Sequence, residues 1–419
     1  MPALVTTQTT RRRARTSGPA IALSMTMVGC ALAHEPAVTT SDGGTPLPSD
    51  GSAACATGLA WLDRAPIALT RTRFAQPAIT GDGDGFLVVT SDRRPAGIDC
   101  AGAPCVAVER IAPSGAVTRE QDVALGSERL WLFASTDLAG RGHLAAASQA
   151  PATECCTQGW TAGTLVWGEP GRLHRTELDT SRGLAAVALD GERAWIVTHG
   201  WRPESTIGEG FSYPIEPRIS IAEADGSTHE ERPIDPTDGE IFARASLSIA
   251  GASDWILTED FYGRAPGVAS AAQVGSTLEI EGWSPRCALV AEPAGSAVVA
   301  CAVDGHVHVL RVEDTGERTS GPALEADPGW PALARSADGD RLALAVVHGD
   351  EVEITVLGRS LEVLAHDVAP IPHGLDGASL ALAAAADGSF ALMAVPFPRS
   401  SDFEAAEPIW VSRFRVCGG

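Results

Sequence analysis

The chain has 419 residues, 31 basic against 53 acidic, a formal net charge of −22 and 44% hydrophobic residues. That apolar content excludes a wholly disordered chain, and the length exceeds one ordinary core, leaving long repeat folds and large all-β domains. The acidic surface repels nucleic acid and anionic headgroups, tolerates cationic partners, and suits a soluble exported protein.

All 31 basic residues are Arg, and the chain holds neither Lys nor Asn, whose codons are AT-rich, so a GC-rich genome is expected. Arg11, Arg12, Arg13 and Arg15 form a basic start, and Gly18 to Gly29 is an apolar or small stretch of signal-peptide length, too short to span a bilayer comfortably. The residues after the Arg run fit a twin-arginine signal poorly. Met27-Val28-Gly29-Cys30 is similar to a bacterial lipobox, with Met27 where Leu is usual. Residues 1–29 are therefore expected to be a lipoprotein-type signal peptide, with Cys30 lipidated and anchored at the outer membrane or periplasmic side. The alternative is cleavage after Ala31-Leu32-Ala33, which would release a soluble periplasmic or secreted protein beginning at His34. Without its first 29 residues the chain keeps 27 Arg against 53 acids.

Residues 30–54 are rich in Ser, Thr, Pro, Gly and Asp without apolar period, which predicts a flexible tether. Residues 55–419 are read as one domain. No later segment carries eighteen consecutive apolar residues, so the membrane is reached only through the lipid.

Within 55–419, a short apolar strand, a Gly turn (usually Asp-Gly) and a second apolar strand recur, as at Leu184–Thr198, Leu333–Val347 and Leu380–Val395. Turns at Gly85, Gly140, Gly191, Gly251, Gly295, Gly339 and Gly388 set a period of roughly 50 residues. That spacing predicts an all-β, seven-bladed β-propeller of four-stranded antiparallel blades. The clearest blade has strands expected at 331–336, 341–347, 352–357 and 361–366. The last unit has only 379–385, 389–395 and 408–416, so the spare stretch 58–72 is expected to close the ring with it. Two β-sandwiches are the alternative fold.

Eight cysteines remain beyond Cys30: Cys55, Cys100, Cys105, Cys155, Cys156, Cys287, Cys301 and Cys417. An even set in an exported chain suggests four disulfides. Cys55 and Cys417 lie where a staple across the closure belongs. Cys287 and Cys301 flank the turn Pro293-Ala294-Gly295 symmetrically, and Cys100 and Cys105 are placed to close a small loop.

These strands and Asp-Gly turns resemble the blades of WD-repeat and YVTN-type propellers, including those of bacterial surface lipoproteins, over about residues 58–416. The resemblance implies architecture alone, because no Trp-Asp dipeptide, YVTN string or kelch Gly-Gly repeat is present.

Local chemistry is sparse. Adjacent Cys155-Cys156, near Trp160, could form the strained ring found in quinoprotein propellers, but their tryptophan-docking repeat is missing, and stapling of the 149–162 loop is favoured. Asp82-Gly83-Asp84-Gly85 resembles a calcium loop but reads better as a hairpin turn. His306 and His308 share a strand face without a third ligand at typical spacing, and His229-Glu230 lacks a second zinc-protease His. No nucleophile elbow, P-loop or dinucleotide fingerprint occurs. No cofactor and no metal site is expected.

Trp195 and Trp255, each four residues after a turn Gly, suit packing between blades. Trp160, Trp201 and Trp330 fall in loop-like stretches, and 199–217, with Phe211 and Tyr213, reads as the largest irregular insertion. These five aromatics are the candidate rim contacts. The function expected is a monomeric, non-enzymatic envelope lipoprotein presenting a binding scaffold to an envelope protein or small ligand. The alternatives are a secreted sugar-active or quinoprotein-like enzyme with its site in the central funnel, and a ligand sensor using the Trp-bearing loops.

Overall fold

The structure is a computed structural model that divides into Met1–Asp50 and Gly51–Gly419. It describes residues 58–71, 76–92, 105–125, 130–137, 139–151, 160–203, 212–233, 242–250, 253–260, 267–270, 276–277, 286–327, 329–372, 378–396 and 407–417. The signal segment with Cys30, the tether, Cys55, Cys100, Cys155, Cys156, Phe211 and Gly251 lie outside the described residues.

The chain opens with two short strands, β1 (Leu59–Trp61) and β2 (Ile67–Arg71). The first meander sheet follows as β3 (Ala78–Asp82), β4 (Gly85–Asp92), β5 (Cys105–Ile111) and β6 (Val117–Ala124). The second is β7 (Leu130–Thr136), β8 (Gly142–Pro151), β9 (Trp160–Glu169) and β10 (Arg172–Glu177). The third is β11 (Gly183–Asp190), β12 (Arg193–Pro203), β13 (Ser212–Glu223) and β14 (Thr228–Pro233). The fourth is β15 (Phe242–Ala250), β16 (Ser253–Asp260), β17 (Gly267–Ser270) and β18 (Ser276–Thr277). The fifth is β19 (Arg286–Ala291), β20 (Ser296–Val303), β21 (His306–Glu313) and β22 (Arg318–Glu325). The sixth is β23 (Ala332–Arg335), β24 (Arg341–His348), β25 (Glu351–Gly358) and β26 (Val363–Val368). The chain ends in β27 (Ser379–Ala384), β28 (Ser389–Val395) and β29 (Glu407–Val416), and both β1 and β2 pair with β29 to complete a five-stranded sheet.

Composition follows position within each sheet. The first strands are rich in Ala, as in Ser-Leu-Ala-Leu-Ala-Ala of β27, which lets backbones crowd together at an axis. The second strands are covered on both faces, so β20 reads as a continuous apolar run with every residue buried. The fourth strands form the outer edge, and β6 is Val-Thr-Arg-Glu-Gln-Asp-Val-Ala with mostly exposed side chains.

The apolar cores lie between sheets. One joins Leu87, Val89 and Val106 to Leu130 and Leu144 of the next sheet, and another joins Ala145 and Trp167 to Leu184 and Ile196. Trp255 packs from β16 onto Cys287 and Ala291, and Trp195 packs half-buried with Val197, Ile219 and Ile256. A further cluster joins Ala391 and Met393 to Ile79, Phe86 and Val88, returning to the first sheet. Phe390 and Phe414 stack with centroids 5.3 Å apart, and Trp61 sits 5.3 Å from Phe414. Each fully buried Phe or Leu of this kind contributes about 2 kcal/mol.

The closure expected from residues 58–72 is met, with Leu59↔Val416 and Ile67↔Val411 in register. Arg413 of β29 locks it. Its guanidinium donates to Asp63 Oδ1 at 2.6 Å and to the carbonyls of Ala112 and Pro113 at 2.7 and 2.9 Å. One buried side chain thus joins the N-terminal segment, the C-terminal strand and the first meander sheet. Cys287 and Cys301 are cross-strand partners joined by a disulfide. Cys105 and Cys417 are disulfide-bonded as well.

Three expectations are corrected. The positive-φ glycine of the first hairpin is Gly83 (φ 56°), while Gly85 opens β4 opposite Asp82, so Asp82–Gly85 is a two-residue hairpin turn. Residues 199–203 and 212–217 are not an irregular loop. They extend β12 and β13 as a ribbon paired through Trp201↔Pro214, Arg202↔Tyr213 and Pro203↔Ser212, because pairing resumes beyond a bulge of β13 opposite His199. Likewise 149–151 and 160–162 are strand, pairing Gln149↔Ala162 and Pro151↔Trp160, so Trp160 and Trp201 are strand residues.

Candidate functional site

The first strands β3, β7, β11, β15, β19, β23 and β27 pack one against the next, and β27 packs against β3. Together they line an axial cavity of about 320 Å³. Its wall includes Leu247, Leu289, Leu333 and Leu382. The first three are only half-buried although they sit on innermost strands, since the cavity leaves one side of each open.

Toward the first-to-second turns, where Gly140, Pro293, Ala337 and Ala386 form the lining, the wall becomes polar. These turns are tied across neighbouring sheets, with Gly83 N donating to Gly140 O and Ala386 N to Gly83 O. The hydroxyls here are engaged. Thr80 and Thr136 bond each other at 2.7 Å, Ser135 exchanges hydrogen bonds with the backbone of Leu189, and Ser248 accepts from Ala291 N. The carboxylates are paired too. Asp190 receives Arg193 at 2.5 Å, and Glu292, between the lining residues Ala291 and Pro293, receives Arg311 through two bonds of 2.8 and 3.0 Å.

Arg335 is different. It lines the same end of the cavity, its Nε is buried with no hydrogen-bond partner, and no carboxylate of the described residues pairs with it. Burial pulls its pKa down, while Glu292 and Asp338 nearby oppose that shift. Asp338 itself is held below the usual carboxylate range, chiefly by the Ser336 hydroxyl, which outweighs the effect of burial.

Asp137, also on the cavity wall, belongs to a second cluster. His143 Nε2 lies 3.1 Å from Asp137 Oδ2, and Glu169 completes a trio whose possible ligand atoms lie within 4.8 Å of one another. Arg141 already bridges both carboxylates, at 2.7 Å to Asp137 and 2.7 Å to Glu169. A guanidinium stands between the two carboxylates that an ion would join, so the donor set reads as an ion-pair network. Burial would raise the Asp137 pKa, but hydrogen bonds from the Arg141 backbone, His143 and the Arg141 side chain bring it below its ordinary value.

In a meander sheet, second-to-third and fourth-to-next connections gather at the opposite end of the axis. Four of the five expected rim residues are described, and their backbone positions lie there. Trp160 stands at the start of β9, and Trp201 and Tyr213 stand on the β12–β13 ribbon. Trp330, between β22 and β23, is 42% exposed, with the Arg286 guanidinium 4.6 Å from its ring. His306 and His308 share one face of β21, ring centroids 6.4 Å apart, as expected.

Sequence reasoning missed Arg335, the Asp137–His143 pair and the Arg413–Asp63 lock. The one usable signal was a lone Arg in the apolar strand Ala-Leu-Ala-Arg of β23.

The ring of meander sheets around an axial cavity defines the class: a β-propeller with four-stranded antiparallel blades. No protein-family model and no curated protein matches the sequence. Among solved structures, the chain is similar to the Cps50 (Swd1) β-propeller domain of Myceliophteria thermophila, at 12% identity over 83% of this chain and 99% of that one, TM-score 0.48. It is similar to a Penicillium chrysogenum α-L-arabinanase complexed with arabinobiose, at 8% identity over 83% and 97%, TM-score 0.48. A functionally unknown protein from Desulfotomaculum acetoxidans matches at 14% identity over 73% and 95%, TM-score 0.42. At such identities the likeness concerns fold alone.

Proposed function

We propose that this chain is an exported bacterial lipoprotein, anchored through Cys30, whose seven-bladed β-propeller serves as a binding scaffold in the cell envelope. The seventh blade is the five-stranded sheet that the two ends of the chain build together, and Cys55–Cys417 and Cys100–Cys105 are the pairs assigned to Cys417 and Cys105. The observation that carries the scaffold reading is the contrast between the two ends of the axis. One end is built from tight turns such as Asp338-Gly339 and Asp387-Gly388. The other carries the β12–β13 ribbon, paired out to Pro203↔Ser212 and bearing Trp201 and Tyr213. Extended, aromatic-bearing strand pairs on a rigid frame suit partner docking. The acids lining the axis favour binding over acid–base catalysis, since each is already neutralised by its own Arg.

The test is cross-linked capture from native envelopes with partners identified by mass spectrometry. The full chain is compared with a Trp201→Ala/Tyr213→Ala variant. A stoichiometric partner held by the parent and lost by the variant is expected, and equal capture by both argues against the ribbon as docking element. Cys30→Ser is expected to abolish incorporation of labelled palmitate. Label absent from the parent chain would return it to a soluble secreted form, and label retained in the variant would overturn Cys30 as the anchor.

A further inference from the structure

We propose that the axial cavity, at the end opposite the ribbon, is a binding site for a small aliphatic carboxylate, with Arg335 receiving the carboxylate and the leucines of the innermost strands receiving the chain. This site is independent of the docking face.

Three observations on the cavity lead there. Its volume of about 320 Å³ suits a small organic molecule. Its wall is two-sided in chemistry: Leu247, Leu289, Leu333 and Leu382 supply an apolar belt, and the polar groups collect toward the tight turns. Finally, the charges in that polar end do not balance locally. Asp137 is taken by Arg141, Asp190 by Arg193 and Glu292 by Arg311, which leaves Arg335 with a buried Nε and no partner. Asp338 affects Arg335 through space, yet its carboxylate is engaged by the Ser336 hydroxyl and the Asp340 backbone.

Arg335 is half-buried on the cavity wall with no carboxylate of the described residues paired to it, and a carboxylate accepting from its N–H groups that face the cavity would supply charge-assisted hydrogen bonds. The belt selects among anions. A bare inorganic anion would leave Leu247 and its neighbours open to water, whereas an acid with a short hydrocarbon chain covers them. Ala337 is exposed and lines the cavity next to Ser336, so a larger side chain there would obstruct the polar end without touching the core.

Sodium hexanoate is the probe, titrated calorimetrically into the full chain beside hexan-1-ol and inorganic phosphate. Hexanoate is expected to bind at least about tenfold more tightly than either control. Arg335→Gln is expected to remove the preference over hexan-1-ol, and Ala337→Trp to weaken hexanoate with an unchanged thermal melting curve, which separates blockage from misfolding. Equal affinity for hexan-1-ol would show that the guanidinium takes no part, and equal affinity for phosphate would show that the belt takes none. Either result overturns the proposal, as does hexanoate binding that survives both variants or fails to appear in the parent chain.

Discussion

His199 shows how one buried side chain sets a pH response. It sits in β12 at the break in register with β13, its Nδ1 3.0 Å from Gly200 O, and burial drives its pKa from 6.5 to about 4. Nearby Arg182 lowers it further, while the Gly200 carbonyl works against the shift. The unfolded chain therefore binds a proton that the folded chain refuses between about pH 6.5 and 4, so stability is fully present above the unfolded pKa and declines as pH falls toward 4. Between pH 7 and 5 the loss from this residue is expected to be about 2 kcal/mol. Urea unfolding at the two pH values checks it, and His199→Gln should flatten the dependence by that amount. An unchanged slope in the variant would place the acid sensitivity elsewhere.

At the scale of elements, the constraint is how closely the innermost strands approach. Gly81 of β3 lies against the backbone of Ala384 in β27, and a Cβ at Gly81 would collide with the Ala384 carbonyl. The φ of Gly81 is not in the left-handed region, so the demand is for space alone. Gly81→Ala is expected to cost at least about 1–3 kcal/mol by pushing the first and last sheets apart. Gly83→Ala meets no atom within 4 Å but places Ala at a φ of 56°, where only backbone strain of about 1 kcal/mol is expected. Chemical denaturation of both variants distinguishes the two mechanisms: a larger loss at Gly83 than at Gly81 would mean that the inter-sheet approach is not the limiting contact.

For the whole molecule, the critical event is closure of the ring by residues from the two ends of the chain. Arg413 is almost fully buried and is matched by Asp63, some 350 positions away in sequence. Removing one partner of such a pair leaves an uncompensated buried charge, so Asp63→Ala is expected to destabilise by about 3–5 kcal/mol. Replacing the pair by apolar residues of similar volume is expected to cost much less. Reduction of the disulfides should deepen the Asp63→Ala defect, because Cys417 lies only four residues beyond Arg413 in sequence. A calorimetric melt with and without reductant reads this directly, and an Asp63→Ala chain as stable as the parent would remove the ion pair from the account of closure.

The sequence by itself determined the recurring strand–Gly turn–strand units, the meander of the 331–368 blade and the closure by residues 58–72, because each depends on local alternation and on Gly turns that recur along the chain. The blade 331–368 and the last unit were legible almost to the residue, and the Cys287–Cys301 bond followed from symmetry about one hairpin. The β12–β13 ribbon was misread as a loop because its register breaks at a bulge, and its Pro residues imitate irregular structure. Only the tertiary structure decided which acids meet which arginines. Asp63 and Arg413, or Glu292 and Arg311, are joined through the packing of sheets or across strands, and nothing in their spacing marks them as partners. The solitary state of Arg335 is likewise a property of the assembled axis, where every neighbouring carboxylate already has a partner of its own.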